Sequence, residues 1–146
     1  MEIKLIAQVK TVINAPIEKV WEALVNPEII KEYMFGTTVV SDWKEGSQIV
    51  WKGEWKGKAY EDKGTILQFN ERSILQYSHF SPLTGKPDLP ENYHVVTITL
   101  TALKKGVEVE LTQDNNETEK EQKHSEDNWN TMLEGLKKFL ENKVSA

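Results

Sequence analysis

The chain has 146 residues, of which 38% are hydrophobic and 28% charged, with a formal net charge of −5 and no cysteine. That length matches one ordinary domain, and the negative charge, with Arg72 as the only arginine, disfavours a nucleic-acid partner, whose phosphates call for clustered Lys and Arg. Lack of cysteine excludes disulfides, thiolate nucleophiles and cysteine-ligated zinc.

The first ten residues, "MEIKLIAQVK", carry charges within their first four positions and no small-residue cleavage site after an apolar core, so they do not read as a signal peptide. No apolar run approaches the roughly 20 residues that span a bilayer. One domain over 1–146, without membrane insertion and in the cytoplasm, is the expectation. Ile3, Leu5, Ala7, Val9 and Ile13 alternate with Lys4, Gln8 and Lys10, the period of two that predicts a strand with one buried face.

"INAPIEKVWEALVNPEIIKEYM" follows, Ile13 to Met34. Pro16 fits a first helical turn, Glu18 can reach back toward the cap, and Ile17, Val20, Trp21, Leu24 and Val25 make an apolar stripe. Asn26 and Pro27 then restart the signal, because Asn caps and Pro forces its predecessor into extended geometry. Ile29, Ile30, Tyr33 and Met34 supply a second stripe, so two short helices with a break at Asn26–Pro27 are predicted, ended by Gly36.

From 38 to 113 strand patterning is interrupted by turn chemistry at "KEG", "KGEWKG", "NERS", "SPLTGKPDLPEN" and "KKG". This predicts six strands, near 38–42, 47–52, 58–69, 73–80, 93–102 and 107–113, paired as an antiparallel meander. From about Glu117 the composition shifts to Glu, Lys, Gln and Asn, with Trp129, Met132, Leu133, Leu136, Phe139 and Leu140 at helical spacing. One long terminal helix follows, its Trp129, Met132, Leu133, Leu136 and Leu140 buried against the sheet and its charged run a solvated face.

The order strand, two short helices, six strands, long helix, with "INAPIEKVWEAL", "PEIIKEYM" and "NWNTMLEGLKKFLE", resembles over essentially the whole chain the superfamily of helix-grip or START-like domains. Within it, the nearest likeness is to the branch of homologues of the heat-shock protein 90 ATPase activator. The motif is carried by Ala15, Pro16, Val20, Trp21 and Leu24. The resemblance implies an α+β fold in which a seven-stranded curved antiparallel sheet grips the C-terminal helix, two short helices close one end, and an internal cavity is left between sheet and helix. The chain departs from the branch in having Tyr33 and Met34 where a tryptophan is common in the second short helix, and Asn128 rather than Gly before Trp129. The chaperone activators also carry a further domain, so the family name implies fold rather than activity.

Trp21, Trp51 and Trp129 can form an aromatic box or simply core, while Trp43 and Trp55 adjoin turns and are expected partly exposed. Glu108 and Glu110 alternate with Val107, Val109 and Leu111 and belong on the outer face. Near Glu121 and Glu126, Gln122 and Ser125 share the helix side of Trp129, so the sheet-facing stripe turns polar toward a wet cavity or its mouth. Pairing Ala102 with Val107, Leu100 with Val109 and Ile98 with Leu111 keeps apolar residues together. Continued across the long loop, it sets Leu75 opposite Ile98, Tyr77 opposite Val96 and His79 opposite His94. The predicted cavity residues are therefore Trp51, Tyr77, His79, His94, Val96, Gln122, Ser125 and Trp129. No HExxH, GxSxG, GxGxxG or P-loop occurs, so no catalytic residue, cofactor or metal is assigned. A metal would need His79 and His94 with a carboxylate, and His124 reads as structural.

The leading expectation is a small intracellular domain binding an apolar or amphipathic small molecule in the cavity without covalent chemistry. The alternatives are a cyclase- or hydrolase-like enzyme using a pocket His, Tyr or carboxylate, and a co-chaperone-like interaction module with a chaperone partner.

Overall fold

The computed structural model of the chain describes residues 5–55, 57–82 and 85–145. Strand β1 runs Leu5–Ile13, helices α1 and α2 span Ile17–Val25 and Pro27–Tyr33, and strands β2 to β7 follow at Thr38–Ser41, Gln48–Trp55, Lys58–Asn70, Ile74–His79, His94–Ala102 and Val107–Asn116. Helix α3 closes the chain at Glu119–Ser145. Ile3, expected in the first strand, and the side chain of Trp55 lie outside the described residues. The seven strands form one antiparallel sheet in the order β1-β7-β6-β5-β4-β3-β2.

Each strand presents alternate residues to the core. In β7, Val107, Val109 and Leu111 are buried while Glu108 and Glu110 stay partly open on the outer face, where Glu110 meets Lys10 of β1 at 3.6 Å and accepts from Gln8 Nε2 at 2.6 Å. The expected register holds throughout this half of the sheet: Ala102, Leu100 and Ile98 face Val107, Val109 and Leu111, and Leu75, Tyr77 and His79 face Ile98, Val96 and His94.

The break between α1 and α2 falls at Asn26, whose Oδ1 accepts from the Glu28 N–H at 3.0 Å while its own N–H closes α1 on the Glu22 carbonyl at 2.9 Å. Pro27 is the first residue of α2, where a missing N–H costs nothing. Pro16, expected inside the first turn, instead takes the N-cap position of α1 in extended geometry, and no side chain caps that end. Its carbonyl accepts from Val20 N at 3.1 Å, which is what a cap residue supplies through its backbone.

Helix α3 covers the free edge of β1. The Gln122 amide donates to Ile6 O, Glu126 accepts from Gln8 N, Lys137 donates to Val12 O and Glu141 accepts from Asn14 N, at 2.9, 3.0, 2.6 and 2.9 Å. Residues 122 to 141 advance about 28 Å along a helix, and residues 6 to 14 about 26 Å along a strand. The two elements therefore run side by side, and these four outward backbone groups along the edge are held by side chains of α3 rather than left to pair with another chain. Met132, Leu133, Leu136 and Leu140 are buried in the core as expected, whereas Trp129 is only half-buried. It sits one turn beyond the closely packed part of the helix, where a cavity opens.

Candidate functional site: a cavity between the sheet and the C-terminal helix

A cavity of about 470 Å³ lies among Met34 and Phe35 just past the end of α2, the His79–His94 end of β5 and β6, Gln113 of β7 and the first half of α3. Its walls mix apolar side chains (Met34, Phe35, Trp129 and Met132) with polar ones (His79, His94, Gln113 and Ser125), and exposed Asn128 stands on its rim. Behind it, Trp51 and Tyr77 pack with ring centroids 5.0 Å apart around a much smaller apolar space of about 20 Å³ that shares Met34, Trp129 and Met132 with the cavity wall.

Local geometry holds each polar group in place. His79 Nε2 lies 3.0 Å from Asp62 Oδ2 on β4, and its ring meets Trp51 edge-on at 4.9 Å. A carboxylate only accepts, so the Nε2 proton points at Asp62. His94 Nδ1 lies 2.8 Å from the Asp114 carbonyl oxygen, also only an acceptor, so His94 carries its proton on Nδ1. Across the cavity, Trp129 Nε1 donates to Gln113 Oε1 at 2.7 Å, Gln113 Nε2 to Ser125 Oγ at 3.3 Å, and Ser125 Oγ to Asn116 Oδ1 at 3.1 Å. The relay ends in buried Asn116, whose amide nitrogen donates to Leu5 O and Gln113 O at 3.1 and 2.9 Å. It ties the half-buried indole to the sheet.

Burial pushes the Tyr77 phenol well above its ordinary range, and it does the same to Tyr33, which Tyr77 raises further. Tyr33 Oη donates to Ala23 O at 2.7 Å. Both phenols stay neutral, and neither serves as a base. Among the described residues no three His, Asp or Glu side chains stand close enough together to hold a metal ion.

Of the residues singled out from sequence, His79, His94, Ser125 and Trp129 line the cavity, and Trp51 and Tyr77 pack behind its wall. Val96 and Gln122 do not line it: Val96 is wholly covered in the core, and Gln122 reaches the other way, to the Ile6 carbonyl. Met34, read from sequence as part of the α2 stripe and as a departure from the branch's tryptophan, also lines it, whereas Phe35, Gln113 and the Asp62 partner of His79 are not among the residues singled out. Gln113 had a signal, since it continues the inward series Val107, Val109, Leu111 and pairs with Val96. Phe35 had a weaker one, a bulky apolar residue just before the glycine that ends a helix.

The fold has many relatives of known structure. A protein of Nitrosomonas europaea shares 18% identity over 97% of both chains with a TM-score of 0.77. A protein of Staphylococcus saprophyticus shares 22% identity over 94% of this chain and 92% of its own, at 0.73. The Aha1 dimer of Colwellia psychrerythraea, solved in solution, shares 19% over 93% and 96%, also at 0.73. These likenesses carry fold alone. No curated protein matches the sequence, and no helix among the described residues is long and apolar enough to cross a membrane. The family model for "Activator of Hsp90 ATPase homolog 1-like protein" matches residues 14–141, which include the Ala15–Leu24 motif, both short helices, six of the seven strands and most of α3. The chain belongs to that AHSA1-like family of START-like, helix-grip domains.

Proposed function

We propose that the chain binds an amphipathic organic molecule in the cavity between β5–β7 and α3. One observation carries this reading: about 470 Å³ of space walled by apolar and polar side chains, within the range of small-molecule sites, with an aromatic side chain held over its rim. Phe35 is 77% exposed and adopts φ 55°, a left-handed conformation costly for a bulky residue. That left-handed residue closes α2, since the Gly36 N–H beyond it donates to the Lys31 carbonyl at 3.1 Å, and the turn leaves the phenyl group exposed beside the cavity, where it can close on an apolar ligand.

The neutral fluorophore N-phenyl-1-naphthylamine tests the reading. Its emission should rise saturably at one equivalent of protein. Asn128→Trp, which places an indole on the exposed rim without touching the core, should abolish the rise while leaving the thermal midpoint in place. Emission that is unchanged by that block would reject the site.

A further inference from the structure

The hydrogen-bonding groups around the cavity are unevenly used, and the imbalance selects a ligand. Trp129 Nε1, Gln113 Nε2 and Ser125 Oγ all donate along the relay toward Asn116, and Thr131 Oγ1 donates to the Asp127 carbonyl at 3.0 Å. His79 spends one nitrogen on Asp62 and His94 one on Asp114 O. In a neutral imidazole the nitrogen opposite the N–H is a bare acceptor, so the rings have His79 Nδ1 and His94 Nε2 left to offer. The two residues are directly paired across β5 and β6, which brings their Cβ atoms to roughly 5 Å of each other on one face. Behind His79, Asp62 Oδ1 is a further buried acceptor without a partner among the described residues.

Against these acceptors, the other donors on the walls are all neutral, the amides of Asn92 and Asn128, the second N–H of Gln113 and the Ser81 hydroxyl, and neither a lysine nor an arginine lines the cavity. A carboxylate or phosphate would leave water without gaining an ion pair. A neutral molecule with a hydroxyl or N–H group would instead satisfy acceptors that otherwise stay unpaired when the cavity is filled.

Resting on the reading above that this cavity is a binding site, we infer that its ligand is a neutral ring compound that donates a hydrogen bond, seated with its O–H or N–H between His79 and His94 and its apolar body against Trp129, Met132 and Phe35. Ligands lacking that donor, or carrying an anion in its place, are discriminated against.

Three naphthalenes of one shape separate the possibilities by calorimetry: 2-naphthol, its methyl ether 2-methoxynaphthalene, and 2-naphthoate. The expected order is 2-naphthol at least tenfold tighter than the ether, with naphthoate weakest. In His79→Phe/His94→Phe, which keeps ring bulk but removes both acceptors, the advantage of the naphthol should shrink to within twofold while ether binding persists. His94→Phe alone, which leaves the Asp62–His79 pair intact, carries the same test at reduced size if the double variant loses its fold. Equal affinities for naphthol and ether, or an advantage that survives the substitutions, would overturn the inference while leaving the binding cavity standing. If none of the three binds saturably, the cavity reading falls and the inference falls with it.

Discussion

His79 Nε2 reaches Asp62 Oδ2 at 3.0 Å across the β4–β5 ladder although the two residues are not partners in it. Lys63 bridges Phe80 and Ile66 pairs with Tyr77, so Gly64 stands across from His79 and Asp62 lies two residues further along the same face. Gly64 makes this diagonal reach possible, because a Cβ there would overlap the Ser78 carbonyl oxygen. The Thr65 N–H donates to Ser78 Oγ at 2.9 Å beside it, and the ladder slips by one residue just beyond, between Ile66 and Gln68.

Gly64→Ala should therefore force β4 away from β5 and destabilise the fold by about 3 kcal/mol, as overpacking against rigid backbone does. Urea denaturation measures the loss. A midpoint within error of wild type would show that the close approach is not a constraint.

Phe35→Gly separates fold from function. The side chain is 77% exposed, so little burial is lost, and glycine accepts the left-handed φ of 55° without penalty. Stability should stay level or rise by up to about 1 kcal/mol, since relief of the left-handed backbone is offset by glycine's unfolded-state entropy. Affinity for N-phenyl-1-naphthylamine should drop at least threefold. Loss of stability with unchanged affinity would reverse the role assigned to this residue.

Leu133 is fully buried where α3 joins the core. Its truncation to Ala should cost roughly 2 to 5 kcal/mol, the range for opening a cavity at a closely packed leucine. A thermal midpoint equal to that of wild type would contradict the packing of α3 described above.

Glu141 gives the fold an acid-sensitive contact. Its carboxyl is held below the ordinary value of 4.5, first by the hydrogen bond from the Asn14 N–H and then by Lys137. A lowered folded-state pKa means that the contribution is complete above the unfolded value and is lost as the pH falls through the folded one. Wild type should thus exceed Glu141→Gln in stability at neutral pH, and the gap should close progressively below pH 4.5. A gap that does not change with pH would place the effect outside the carboxylate.

Much of this architecture is legible in the residues themselves. Alternation in "VVTITLTA" and "VEVEL" admits one register that keeps Glu110 off the inner face, and counting along that register is enough to bring His79 opposite His94. Asn26 and Pro27 stop α1 and start α2 by local chemistry alone. The misreadings concern what local pattern does not encode. Helical spacing puts Gln122 beside Ser125 but is blind to β1, whose edge captures Gln122 at the Ile6 carbonyl. The same spacing marks Trp129 as inward but not that the sheet recedes from it, leaving it half-buried on a cavity wall. Strand alternation equates Val96 with His94, yet Val96 lies two residues deeper and is fully covered. Asp62 depends on a slipped ladder and a glycine contact, neither of which has a residue pattern of its own.

The most direct test of ligand binding between sheet and helix is a proton–nitrogen NMR titration with 2-naphthol. The chain has five tryptophans, and their indole N–H signals report from different places. Trp129 lines the cavity, with its N–H held on Gln113, and Trp21 packs edge-on against Phe69 at 5.3 Å. Saturable shifts of the Trp129 indole and of the His79, His94, Met34 and Phe35 amides, with Trp21 and the outer-face residues Glu108 and Glu110 unmoved, are the result expected. Shifts centred on the outer face, or a Trp129 indole indifferent to the ligand, would contradict the account.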